Sequence, residues 1–285
     1  MSIQLIIDGG ADLPQAMVEQ HNLKVVPLNL HFDEDHYKTG LTIDLPTFYE
    51  KLKEATTLPS TSSPSPNEFY DKYKEVDKDT PIIVLALTQG LSGTYESAVI
   101  GKKMLLEEEP NRSIAVLNTK TASCGIALLV HEATAMSANG IKFKEVVAHM
   151  EKKIEQTTTL FILKTLENVI KGGRLDKVKG TIAKTLNIKL LMKATEQGKI
   201  EVTEKVRGNK KSLRRFIEQI GEYSHQFEDK VIAISHSNDE ERGKSVLQSI
   251  RDRYNFKDSI FTEMGPIIST HAGEGGIVIA FFKND

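Results

Sequence analysis

The chain has 285 residues, enough for one large or two ordinary domains, and its 39% apolar and 27% charged residues are those of a globular protein. Lys and Arg number 37 against 39 Asp and Glu, a net charge of −2 that leaves no footprint for nucleic acid, and the absence of Trp removes the best base-stacking platform. The single cysteine, Cys124, excludes an internal disulfide and a cysteine-based zinc site, and no apolar run reaches the length of a membrane span.

The opening MSIQLIIDGG lacks the basic segment and small-residue cleavage site of a secretory signal, so the protein is expected in the cytoplasm. Residues 3–7 read as an apolar strand, followed by Asp12 as the cap of a helix that has Pro14 in its first turn. Residues 24–30 read as a second strand, residues 31–40 as a polar loop, and Asp44 as the cap of a helix through residue 53. His31, Asp33, Asp35 and His36 have the chemistry of metal ligands, but a solvated acidic loop is the plainer reading and no metal is assigned. Ser65, Pro66 and Glu68 then form a capping box, so the hydroxyl tract at 60–63 leads into a helix N-terminus.

Residues 82–87, apolar throughout, predict a strand of a parallel sheet covered on both faces. In the turn after it, Gly90 permits a sharp path and Ser92 is placed to cap the next helix, whose positive end would face the crevice beyond the strand. A strand at 114–117, a helix at 126–137 and a helix at 143–155 complete this half. The pattern then changes to a strand at 159–163, a short helix at 166–171 stopped by Gly172 and Gly173 ahead of Arg174, and a helix over 177–186. An antiparallel hairpin of strands 188–194 and 199–206, joined across EQG and ending at Arg207, follows. A helix at 212–227, a strand at 231–235, a helix at 239–254, a strand at 259–264, a glycine-rich loop at 265–276 holding His271, and a strand at 277–282 close the chain. The fold class is therefore α/β, with an N-terminal parallel-sheet α/β domain at 1–155 and a C-terminal α+β domain with a mixed or antiparallel sheet at 156–285.

The hydroxyls at Thr61, Ser62 and Ser63 and at Ser92 and Thr94 sit at two helix starts on the ligand-binding edge of a parallel sheet. Neither turn carries Lys or Arg, and neutral donors of this kind suit one carboxylate better than a triphosphate. Capping and turn chemistry alone would use the same residues. Gly90-Leu91-Ser92-Gly93 has its second glycine one position early for a nucleophile elbow. Arg242-Gly243-Lys244-Ser245 lacks the first glycine of a phosphate loop.

These segments, in order, resemble the DegV family of bacterial lipid-binding proteins, which includes the acyl-binding subunit of fatty acid kinase. IIDGGADLP resembles its opening strand and turn, STSSPSPNEF its Thr-Ser-Gln-Pro-Ser element, and GLSGTYESA its signature turn. KTASCG, ENVIKGGRL, LNIKLL, GKIEVTEKVRG and GPIISTHAGEGG are similar to later blocks. Departures are Gly9 and Gly10 for hydroxyl residues, Ser63 for Gln, Asn118 for Asp, and Ala272 and Glu274 for Thr and Pro. The resemblance implies a non-enzymatic carrier that buries one long-chain fatty acid between its two domains. Thr61, Ser62, Ser92, Gly93 and His271 would hold the carboxylate, and Arg174 and Arg207 would lie near the head group or on the face offered to a partner. The implied partners are a fatty acid kinase catalytic subunit and an acyl-phosphate-using acyltransferase, with no metal, no cofactor beyond the bound acid, at most transient membrane-surface contact, and a monomeric state. The competing readings are a serine acyl hydrolase using Ser92, with His271 as its base, and an ATP-dependent small-molecule kinase.

Overall fold

Strands that are apolar at every position need cover on both faces, and this chain supplies it. The computed structural model describes residues 3–175 and 187–284. The first half contains β1 (Gln4–Asp8), α1 (Gln15–Gln20), β2 (Lys24–Val26), β3 (Asn29–Phe32), β4 (Asp35–Lys38), α2 (Leu45–Glu54) and β5 (Ser60–Ser62). It continues with α3 (Pro66–Lys74), β6 (Ile82–Ala86), α4 (Thr94–Glu108), β7 (Ile114–Asn118), α5 (Cys124–Ala138) and α6 (Phe143–Gln156). The second half runs β8 (Thr157–Ile162), α7 (Glu167–Lys171), β9 (Ile188–Ala194), β10 (Ile200–Arg207), α8 (Asn209–Glu218) and α9 (Ile220–Tyr223). Then come β11 (Val231–His236), α10 (Glu240–Arg251), β12 (Asp258–Glu263), α11 (Pro266–Ala272) and β13 (Ile277–Phe282). The helix expected over 177–186 lies outside the described residues.

Strands β2-β1-β6-β7 form an all-parallel sheet, and β10-β9-β8-β13-β11-β12 a mixed one in which β11 and β12 are the parallel pair. This is the two-domain α/β architecture the sequence predicts. Alternation along each strand divides the core. Leu5, Ile7, Ile83 and Leu85 face inward, joining Phe161, Val278 and Ala280 of the second sheet in one apolar cluster around α5. Ile6, Ile82 and Val84 face outward against Phe69, Tyr73, Ala98 and Leu105 of α3 and α4. On the far side of the mixed sheet, Ile232, Ile279 and Phe281 pack on Phe216, Leu247 and Ile250 of α8 and α10. Helix α5 packs on β11 and β13 as well as on β6, so it is the apolar spacer between the two sheets.

Several local expectations give way to tertiary demands. The single strand expected at 24–30 breaks at Pro27 and Leu28, since β2 extends the parallel sheet while β3 leaves it. The polar loop expected at 31–40 is half of a hairpin, with β3 antiparallel to β4 and to β5 in a separate three-stranded sheet. Asp12 does not cap α1; its buried carboxylate instead accepts from the Ser123 hydroxyl and from the Gly265 N–H at 2.7 Å. Burial outweighs those bonds and raises its pKa to about 7. The helix expected at 212–227 is two helices, α8 and α9. The glycine-rich loop at 265–276 contains α11, begun by Pro266 and ended at Gly273, whose φ is 67°. The capping box at Ser65 and Glu68 and the Asp44 cap form as the sequence predicts.

Candidate functional site

Between the parallel sheet and the mixed sheet lies a cavity enclosing about 860 Å3 of empty space, its opening included. Its walls are largely apolar, with Leu28 and Leu87 on one side, Phe161, Val278 and Ile200 on the other, and Ile267 on α11.

Four polar side chains in the lining bear on the site, Thr61, Ser92, Arg174 and His271, and of these Thr61 and His271 bond each other directly. Thr61, at the middle of β5, shares a 3.0 Å hydrogen bond with Nε2 of His271 in the last turn of α11. Arg174, in the turn that follows α7, donates from Nε to the Leu91 carbonyl at 3.2 Å and from its terminal nitrogen to the Gly172 carbonyl. Ser92 follows Leu91 in the turn leading to α4, and its hydroxyl lies 2.8 Å from that of Thr94. Gly93 and not Ser92 is the cap residue of α4, and no side chain caps this end, so the expected Ser92 cap does not form.

Electrostatics explain why His271 cannot act as a cation here. Burial, reinforced by the nearby Arg174 charge, lowers its pKa to about 4, so the imidazole is neutral near pH 7. Its Nδ1 is buried without a hydrogen-bond partner among the described residues, against the backbone of Gly172. With its one proton on Nε2, the tautomer that leaves the unpartnered Nδ1 bare, His271 would donate to Thr61 and leave the Thr61 hydroxyl free to donate to an anion. A serine-hydrolase triad needs an acceptor on Nδ1 to orient the base and a nucleophile on Nε2. Neither is in place, because Nε2 faces Thr61 and Ser92 pairs with Thr94.

The remaining expected site residues lie elsewhere. Ser62, next to Thr61 on β5, is exposed and its hydroxyl meets Asn29 and His31, as strand alternation requires. Gly93 does not line the cavity, although its bare Cα faces the Ser63 hydroxyl. Arg207, at the end of β10, is exposed and outside the lining. Among the described residues no cluster of three or more His, Cys, Asp or Glu is arranged to hold a metal ion. No described helix is long and apolar enough to cross a membrane.

Sequence reasoning passes over two parts of the site. The tip of the β9–β10 hairpin, read only as a turn, closes one wall: Thr88 donates to the Gly198 carbonyl at 3.2 Å, and Gly198, Lys199 and Ile200 line the cavity. The positive φ of Gly198, 70°, is the feature a turn glycine advertises, but its docking partner is 110 residues away. Gly172 is the second, since only a residue without Cβ leaves room for the His271 ring, 2.4 Å from where that atom would stand.

A model of the DegV family, described as uncharacterised proteins, matches residues 2–284. The chain belongs to the DegV family. A curated fatty acid-binding protein from Thermotoga maritima is 30% identical to this DegV chain over 284 residues, covering 97% of this chain and 96% of the other. A DegV family protein from Ruminococcus gnavus, solved with vaccenic acid, superposes with a TM-score of 0.92 at 32% identity, covering 98% of this chain and 99% of the other. The fatty acid kinase (Fak) B3 protein of Streptococcus pneumoniae, loaded with linoleic acid, superposes with a TM-score of 0.89 at 25% identity over the whole of both chains.

Proposed function

We propose that this DegV protein is a non-enzymatic carrier that buries one long-chain fatty acid in the cavity between its two sheets and presents the carboxylate to partner enzymes. The observation that carries this reading is an apolar cavity whose few polar groups include the bonded pair Thr61 and His271, with Ser92 and Arg174 beside them. The fatty acids carried by the R. gnavus and S. pneumoniae proteins support the same ligand class. A tail of about sixteen carbons contributes on the order of 10 kcal/mol at ~0.8 kcal/mol per buried methylene, before the cost of association. Hydrogen bonds from Thr61 and Ser92, worth about 1.5 to 3 kcal/mol each to a charged group, fix the carboxylate rather than supply most of the affinity, and His271 orients the Thr61 hydroxyl for it. The acid is the ligand, and no resident cofactor or metal enters the reading.

A kinase catalytic subunit would phosphorylate the presented carboxylate and an acyltransferase would use the acyl phosphate, with Arg207 on the docking face and the carrier acting as a cytoplasmic monomer. The domains would divide at 155/156, in the last turn of α6 just before β8. The test is native mass spectrometry of protein purified without added lipid, then incubated with palmitate or oleate. One acid per chain is expected, and Thr61→Val together with Ser92→Ala should weaken uptake at least tenfold. Absence of any bound or acquired acid in the wild type would sink the proposal. Turnover of a nitrophenyl ester that vanishes in Ser92→Ala would favour the hydrolase instead.

A further inference from the structure

The three-stranded sheet and α2 form a lobe with a core of its own. Leu30, Phe32, Ile43 and Phe48 are buried together, with Tyr37, Leu45, Tyr49 and Leu52 packed around them, apart from the cluster that spans the two main sheets. The chain enters this lobe through residues 27–28 and leaves it through residues 63–65, both between elements. At the entry, the Thr39 amide donates to the Leu28 carbonyl at 3.0 Å and the Leu28 amide to the Thr39 hydroxyl at 3.2 Å, while Leu28 itself is anchored in the main core. At the exit, Lys38 pairs with Glu68 at 2.7 Å across a solvent-exposed contact, a kind of pair that holds little.

Away from these connections, the lobe's side chains reach α11 through two hydrogen bonds. One is Thr61 to His271 at 3.0 Å. The other joins the hydroxyls of Tyr49 on α2 and Ser269 on α11 at 2.9 Å. Either hydroxyl can donate in this pair, and with the Ser269 proton given to the Met264 carbonyl at 3.0 Å the Tyr49 O–H would be the donor. Thr61 and His271 line the cavity, whereas Tyr49 and Ser269 do not.

We infer that the lobe of residues 29–62 is a lid over the head-group end of the cavity, and that Tyr49 is a positioning residue that latches it to α11 through Ser269. The inference rests on the proposed fatty-acid site. A lobe with a separate apolar core can swing on its two chain connections without opening that core, and the hydrogen bonds it breaks at α11 are replaced by bonds to water. Opening would withdraw Thr61 from the carboxylate and uncover it, so the latch sets how long the acid stays.

The experiment loads wild-type and Tyr49→Phe proteins with oleate and follows its transfer to an excess of serum albumin. Tyr49→Phe removes one hydroxyl and should raise the off-rate about two- to tenfold, the kinetic equivalent of one hydrogen bond. Ser269→Ala should do the same, and the double variant no more than either single one. Hydrogen exchange should show amides of residues 29–62 exchanging faster in Tyr49→Phe while those of β1 and β6 stay as in the wild type. An unchanged off-rate, or faster exchange throughout the protein, would overturn the latch. Failure of wild-type protein to take up oleate would instead overturn the carrier reading, so the two failures are separate.

Discussion

His271 shows how one side chain records the cost of a neutral site. Its folded pKa of about 4 lies below its ordinary value of 6.5, so the folded state gains nothing from the proton that the unfolded chain accepts. Its contribution to stability is therefore complete above pH 6.5 and is lost as the pH falls towards 4. By pH 4.5 the loss should reach about 2 to 3 kcal/mol, at 1.36 kcal/mol per unit. His271→Gln should remove that part of the slope, and urea unfolding midpoints measured from pH 7 to pH 4.5 on both proteins check it. Equal slopes would mean that the ring is already solvated and able to take up the proton. Asp8 and Asp12 work in the opposite sense. Burial raises their pKa values to about 6 and about 7, so the stability they give is full below pH 3.8 and is lost as the pH rises through those values. The comparison with the variant is needed to isolate the histidine from this background.

At the scale of elements, the site depends on pieces that are short and held from outside. β5 has three residues and α11 seven, too little for either to persist without tertiary packing. The β9–β10 hairpin is sturdier, but its position is set by the contact of its tip with the turn after β6. A Cβ on Gly198 would stand 1.9 Å from the Thr88 hydroxyl, on a backbone with φ of 70°. Gly198→Ala should therefore cost about 1 to 3 kcal/mol and move the tip off Thr88, with a matching loss of lipid affinity. Thermal melting and oleate titration together test this. A variant that melts lower but binds oleate as before would show that the tip is not a functional wall of the cavity.

At the scale of the molecule, the two sheets share one apolar cluster, and α5 holds them at a fixed spacing. The cavity occupies part of that interface, so an acyl chain within it would complete the core. The exposed faces are then left for partners. Arg207 is exposed at the end of β10, with Lys205, Lys210 and Lys211 also exposed nearby in the chain. Reversing one of these charges should act on encounter with an acidic partner and leave the buried ligand alone. Arg207→Glu is thus expected to keep oleate binding within about twofold while slowing phosphorylation of the bound acid by a kinase subunit at least tenfold. Parallel titration and coupled kinase assays decide it, and equal losses in both would place Arg207 in the lipid site.

The strands of the parallel sheet, the capping box at Ser65 and Glu68, the Asp44 cap and the β9–β10 hairpin were legible in the sequence because their causes are local. Residues 82–87 are apolar at every position, Ser65 has Glu68 three residues on, and a short turn forces its flanking strands to pair. Thr61, Ser92 and His271 were legible as residue types, although Thr61 lies on β5 and His271 on α11 rather than in turns, and the ordered blocks of family resemblance linked them. Their environments were not legible. The proximity of Thr61 to His271 spans 210 residues, and the neutrality of His271 follows from burial by segments distant in the chain. Asp12 has the residue type and position of a helix cap, and only packing between the sheets turned it towards Ser123 and Gly265. The sequence by itself determined the α/β class, the change of pattern near residue 156 and the turn at Ser92, since each follows from periodicity and backbone chemistry within a few residues. The tertiary structure alone decided that residues 29–62 form a separate lobe and that the loop at 265–276 holds a helix. It also decided that Ser62 faces away from the cavity, because these depend on which surfaces are left to bury once the two sheets have packed.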